Sequence, residues 1–151
     1  MKNLKKVLAV VMSIALIVTC FAACGGNNGD TDAKKVKAAL ICLHGDSSTY
    51  DKNFMDAAIA ACEEMGVEYA QKTQIPESND CYDAAVELIE SDGCDIIFAD
   101  SFGHESFLID AAKKYPDVEF CHATGTQAHT AGLDNFHNAF ASIYEGRYLA
   151  G

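Results

Sequence analysis

The sequence predicts an α/β fold, a parallel sheet with helices on both faces, and three observations carry that expectation. Short apolar runs alternate with amphipathic helical patterns from position 36 to the end. The runs are nearly continuous in apolar residues, as strands covered on two faces require. Each helical pattern closes on a glycine or a proline, which sets short elements in series.

Residues 36–43 (V-K-A-A-L-I-C-L) read as a central first strand. A helix over residues 51–65 follows, with Phe54, Ala57, Ala58, Ala61 and Met65 at inward spacing and Gly66 as its stop. Residues 67–72 give a weaker second strand. Asn79 or Asp80 caps a second helix that turns Ala84, Ala85, Leu88 and Ile89 to one side and ends near Asp92-Gly93. Residues 95–99 form the third strand. The helix over residues 105–115 packs Phe107, Leu108, Ala111 and Ala112 inward, sets Lys113 and Lys114 where its dipole favours cations, and stops at Pro116. Residues 118–121 are a short fourth strand, 124–132 a polar loop and 133–139 a fifth strand. A further helix begins at 143 and breaks off in mid-element at Gly151, so residues 36–151 are expected to be one incomplete lobe. No internal repeat interrupts the alternation.

The first 23 residues read as a lipoprotein signal peptide. Lys2, Lys5 and Lys6 make a positive start, residues 7–18 are apolar but for Ser13, and Phe21-Ala22-Ala23 supplies small residues before Cys24. Twelve residues are too few to span a bilayer as a helix. Cys24 is the candidate lipidation site, its acyl chains each stabilising membrane attachment by about 0.8 kcal/mol per buried methylene. Residues 24–35, rich in glycine, asparagine and aspartate, are then a flexible tether, and the expected location is the extracytoplasmic face of the cell membrane.

Without the three leader lysines, 8 basic face 22 acidic side chains, and the formal charge moves from −11 to −14. Such a surface repels phosphate backbones and anionic headgroups, which excludes nucleic acid as a partner and leaves the lipid to make the membrane contact. Cys42, Cys62, Cys81, Cys94 and Cys121 are an odd number without a C-x-x-C pair, and read as small apolar residues rather than a disulfide framework or a zinc knuckle.

In an open parallel sheet, ligands bind beyond the carboxyl ends of the strands. The segments there are polar and aromatic: residues 44–54, Asp100-Ser101-Phe102-Gly103-His104, His122-Ala123-Thr124-Gly125-Thr126 and Asn138-Ala139-Phe140. Four stretches carry a resemblance in this order: Tyr50-Asp51-Lys52-Asn53-Phe54 against a D-K-S-F-N turn, residues 98–103 against a glycine and phenylalanine loop, residues 111–118 against A-A-K-x-Y-P-D-V, and residues 145–151 against E-x-x-Y-L-A-G. Together they resemble the basic membrane protein family of substrate-binding lipoproteins for bacterial ABC importers, whose characterised members bind purine nucleosides.

That resemblance implies a type I periplasmic-binding-protein lobe, a nucleoside-like solute, and an ABC permease and ATPase as partners. It implies that Phe54 stacks on a nucleobase, while Asp46 and Asp100 accept hydrogen bonds from ribose hydroxyls or base N–H groups. Asn53, Ser101 and Phe102, in the matched stretches, complete the candidate ligand set. One departure stands out: His44-Gly45 follow the first strand where the family has an aspartate, with Asp46 one place later. Phe54 also lies in register with the buried face of its helix, and Asp46 and Asp51 suit turn or cap positions, so structural roles stand beside the binding ones.

Two other chemistries have to be weighed. Gly45-Asp46-Ser47 and Asp134-Asn135-Phe136-His137 mimic the blocks of a serine esterase, but no G-x-N block lies between them to supply an oxyanion donor. His44, His104, His122, His129 and His137 cluster near the sheet's carboxyl end, yet no H-x-x-x-H or comparable ligand spacing is present. The expectation is therefore a non-enzymatic receptor with no cofactor and no metal. A receptor for another small solute and a sensory surface lipoprotein remain the alternatives.

Overall fold

The computed structural model describes residues 35–151; the leader, Cys24 and the tether up to Lys34 lie outside the described residues. Five parallel strands, β1 (Lys37–Ile41), β2 (Glu68–Lys72), β3 (Ile96–Ala99), β4 (Glu119–Ala123) and β5 (Phe136–Ala139), form one sheet in the order β2-β1-β3-β4-β5. β1 lies inside the sheet, with Ala39 opposite Ala70 on one side and Ile97 on the other. The helices are α1 (Thr49–Met65), α2 (Asn79–Glu90), α3 (Glu105–Lys114), a single turn α4 (Ala128–Ala131) and α5 (Ile143–Ala150), with a 3-10 turn over Phe102–His104.

Alternation along the strands sends side chains to two cores. Ala39, Ile41, Ile97, Phe120 and Phe136 share the larger one with Ala84, Ala85 and Leu88 of α2 and Leu108, Ala111 and Ala112 of α3. Each fully buried Leu or Phe there contributes roughly 1.5–3 kcal/mol. On the other face Leu40 and Cys42 meet only Met55, with Phe54, Ala58 and Tyr69 half-buried around them.

That second face corrects the expected packing of α1. Phe54 and Ala58 lean on the sheet, but Ala57, Ala61 and Met65 are exposed, Met65 to 76%. The helical period was right and the surface it meets is smaller than expected: α1 covers β1 and β2, while Phe98 of β3 stays 37% exposed. An apolar groove of about 400 Å³ runs between them.

Local chemistry sets the helix ends. Ser48 caps α1 by accepting the Asp51 N–H at 3.2 Å, and Gly66 closes it at φ 67°, a left-handed conformation open to glycine. α2 is capped by Ser78, one residue before the expected Asn79 or Asp80, because the serine hydroxyl takes the Asp80 N–H at 3.2 Å. Lys113 and Lys114 fall in the last turn of α3 as expected. β4 extends to Ala123, so His122 belongs to a strand and is fully buried, where a polar loop was expected. Within residues 124–132 the chain forms the short α4 rather than a plain loop.

Candidate ligand-binding cleft

Beyond the carboxyl ends of β1, β4 and β5, a cleft of about 410 Å³ is lined by Tyr50, Phe54, Ala123, Thr124, Ala139, Phe140, Ala141 and Ile143. Its volume is in the range of small-molecule sites. Tyr50 and Phe54 are one helical turn apart in α1, and this spacing brings their rings together, centroids 5.0 Å apart at 58°. Tyr50 is held in place by donating its hydroxyl to the Asp100 carbonyl at 3.0 Å, a bond that ties α1 to the end of β3. Burial raises the tyrosine's pKa, so it remains a neutral phenol. Phe140 is 59% exposed and Tyr50 47%, leaving aromatic faces available to a flat partner.

Of the residues picked out from sequence, Phe54 lines this cleft. Asp46, Asn53 and Phe102 are exposed, and Ser101 is half-buried, its hydroxyl donating to Glu77. Asp100 is fully buried, so its carboxylate offers no surface to a solute in this conformation. Its Oδ1 accepts the Leu43 N–H at 3.4 Å, and burial pushes its pKa up. Asp51 takes the structural role left open above: its carboxylate accepts the His44 N–H at 2.6 Å and the Ser48 hydroxyl at 2.8 Å. Tyr50 and Phe140 were missing from the candidate set. The spacing of Tyr50 and Phe54 at i and i+4 was the signal available for the first.

A polar layer supports the floor beside the cleft. Glu105, almost fully buried, accepts the Gln127 N–H at 2.8 Å, the Gln127 amide at 3.0 Å and the Asn138 amide at 3.0 Å. Burial alone would raise its pKa, but these donors outweigh it and the net shift is downward. Gly125 passes so close that a Cβ would come within 2.5 Å of Glu105, His122 and Asn138 side-chain atoms. His104 and His122 each donate Nε2–H to a carbonyl, Ile75 at 2.9 Å and Ser101 at 2.7 Å, while each Nδ1 is buried without a partner.

Burial holds the His122 pKa below its usual 6.5, so the folded state binds fewer protons there than the unfolded chain. Its contribution to stability is complete above about pH 6.5 and is lost as pH falls from there toward the depressed folded value. Thermal melts at pH 7.5, 6.5 and 5.5 are expected to show that loss. The His122→Gln variant should melt with a shallower dependence over the same interval; equal slopes would contradict the assignment.

Neither alternative chemistry assembles. Ser47 follows β1 while His137 sits in β5, three strand positions away or roughly 14 Å across the sheet. His137 instead pairs with Glu119 at 2.9 Å. The histidines do not converge either: His104 and His122 are committed to carbonyls and His137 to its carboxylate. Among the described residues, the group with metal-ligand geometry is Cys42, Asp51 and Asp100, which holds no histidine. The five described cysteines are unpaired, and burial pushes the Cys81 thiol up to about 12, leaving it inert at neutral pH.

Comparison with known proteins is consistent with this architecture. A purine-binding protein of Brucella abortus is 40% identical over 67 residues, 44% of this chain and 18% of the relative. An uncharacterized lipoprotein of Pyrococcus abyssi is 34% identical over 119 residues, 75% of this chain and 29% of the relative. The chain thus spans less than a third of the length of these curated relatives. An ABC transporter solute-binding protein from Conexibacter woesei shares the fold, with a TM-score of 0.59 at 13% identity over 70% of this chain and 35% of that one. Residues 38–151 match the family model described as ABC transporter substrate-binding protein, PnrA-like. With its parallel sheet and a match across all of its strands but the first residue of β1, the chain belongs to the PnrA-like family of ABC transporter substrate-binding proteins.

Proposed function

We propose that the chain supplies one wall of a receptor for a purine nucleoside or a closely similar flat solute, which the receptor passes to an ABC permease. The observation that carries this reading is the aromatic cleft formed by Tyr50, Phe54 and Phe140 where parallel-sheet proteins bind ligands. The relative named as purine-binding supports the ligand class. A lipid on Cys24 would hold the receptor at the outer face of the membrane, in keeping with the lipoprotein relative.

The proposed roles follow from placement. Phe54 stacks on the base with Tyr50 set against its edge, and Phe140 meets the solute from the β5 side. Asp46, Asn53, Ser101 and Phe102, at the rim, come into contact when a second lobe closes over the first, a hinge motion that buries the ligand, while Asp100 stays sealed below them. One wall alone binds weakly.

Two-dimensional NMR on the purified chain tests this. Adenosine or inosine at millimolar concentration is expected to shift the ring resonances of Tyr50, Phe54 and Phe140. Phe54→Ala should weaken that interaction by roughly 2- to 12-fold, the equivalent of about 0.5–1.5 kcal/mol for a lost aromatic pair. Absence of shifts at these rings, or submicromolar binding by this chain alone, would overturn the one-wall reading.

A further inference from the structure

We propose that Cys42, Asp51 and Asp100, with His44 as a movable fourth ligand, bind a divalent cation of the zinc class beneath the cleft. A ligand atom from each of the first three lies within 4.8 Å of the other two, and all three side chains are at least 98% buried. Among the described residues, no lysine or arginine pairs with either carboxylate. Asp100 Oδ2 is buried with no oxygen or nitrogen donor, and the side chain that bonds this carboxylate is the Cys42 thiol of the same trio. Buried charges are ordinarily paired or coordinate metals, and an orphaned carboxylate oxygen beside a second carboxylate and a thiol is a donor set waiting for a positive centre.

The donor types and spacing select the ion. Zinc binds sulfur at about 2.3 Å and nitrogen or oxygen at about 2.0–2.2 Å, which sets the edges of its tetrahedron at roughly 3.3–3.8 Å. His44 Nδ1 already lies 3.7 Å from Asp51 Oδ1, and its side chain is 62% exposed and able to swing. From separations of up to 4.8 Å, the buried trio needs to contract by up to about 1.5 Å to meet the same tetrahedral edges. A sulfur donor favours zinc and cobalt over magnesium and calcium. Asp51 retains acceptor capacity beyond its bonds to His44 and Ser48, because a carboxylate has about four lone-pair sites.

Binding would release the Cys42 proton to solvent as the thiolate joins the metal. It would also clamp the residue 44–51 turn to the end of β3. Tyr50 donates to the carbonyl of the same Asp100, so the clamp would fix the aromatic pair above it. None of this depends on the nature of the solute.

The test uses Co²⁺ as a spectroscopic probe on the purified, chelator-stripped full chain. One equivalent is expected to produce a near-ultraviolet thiolate-to-cobalt band that Zn²⁺ abolishes by displacement. Cys42→Ser should eliminate the band, and Asp100→Asn and His44→Ala should each weaken binding by roughly 10- to 100-fold. Absence of a thiolate band, its persistence in Cys42→Ser, or unchanged affinity in both other variants would overturn the proposal. Because His44 is exposed, His44→Ala keeps the question decidable even if Cys42→Ser does not fold. Nucleoside binding is not read out in this experiment, so failure here leaves the solute proposal standing, and the reverse holds too.

Discussion

Replacing Phe120 with alanine is expected to remove a large share of the domain's folding stability. Phe120 is fully buried on β4, in the middle of the larger core. Truncation removes a ring from a site walled by β3, β5 and α3, where the surrounding elements are held by the sheet and relax only in part. A Phe→Ala change in such a place costs about 3–5 kcal/mol, against a total stability of about 5–15 kcal/mol for a typical domain. Urea titration followed by circular dichroism would measure it. Phe102→Ala is the matched control: that ring is 65% exposed, and the change should stay within about 0.5 kcal/mol. A Phe120→Ala loss below about 1 kcal/mol would mean that the core is not closed around β4 as described.

Asn135→Ala is the second large effect. The two N–H groups of the Asn135 amide are shared among three carbonyls, Val118 at 2.9 Å, Tyr115 at 3.0 Å and Ala112 at 3.1 Å, and its side chain is almost fully buried. It thereby serves the end of α3 and the entry to β4 at once, where the Tyr115 carbonyl also accepts the Val118 N–H at 3.1 Å. Alanine would take this donor from the Ala112 and Val118 carbonyls, each costing roughly 1–3 kcal/mol when left buried and unpaired, partly relieved by local opening, while Tyr115 keeps the Val118 N–H. We expect a net loss of about 2–4 kcal/mol, or a melting temperature lower by roughly 10 °C. Differential scanning calorimetry would read it directly; a shift of about 1 °C would show that water replaces the amide without penalty.

The same residue shows how far sequence reading reached. Asn135 sits inside the stretch Asp134-Asn135-Phe136-His137 that mimics a catalytic block, and what it does is a matter of three carbonyls distant in sequence. Nothing local reports that. The strands were readable because a run such as Ala38-Ala39-Leu40-Ile41 suits a position covered on two sides, and the parallel order follows from the intervening helices. Helix stops were readable at Gly66 and Pro116 because backbone restriction acts locally. The fate of α1 was not: Met65 follows the helical period faithfully, but periodicity names a face and does not say how much sheet lies under it.

The candidate site divides in the same way. Phe54 could be placed at the sheet's carboxyl end from its motif, whereas the sealing of Asp100 depends on how the turn over residues 44–51 folds across it. His122 was read as a loop residue because β4 was ended two residues early, and polar Glu105 and Asn138, which make the strand's end tolerable to bury, lie on other elements.

The interior position of β1 governs the order in which the molecule can be built. The segment that leads the described chain acquires its outer neighbour at positions 68–72 and its inner one at 96–99, and no hairpin exists to hold it meanwhile. A polypeptide delivered amino end first therefore travels some sixty residues past this strand before it is flanked on both sides, and closure of such distant loops is slow. During that interval β1 lacks its inner partner, so the sheet closes only once β3 has been delivered.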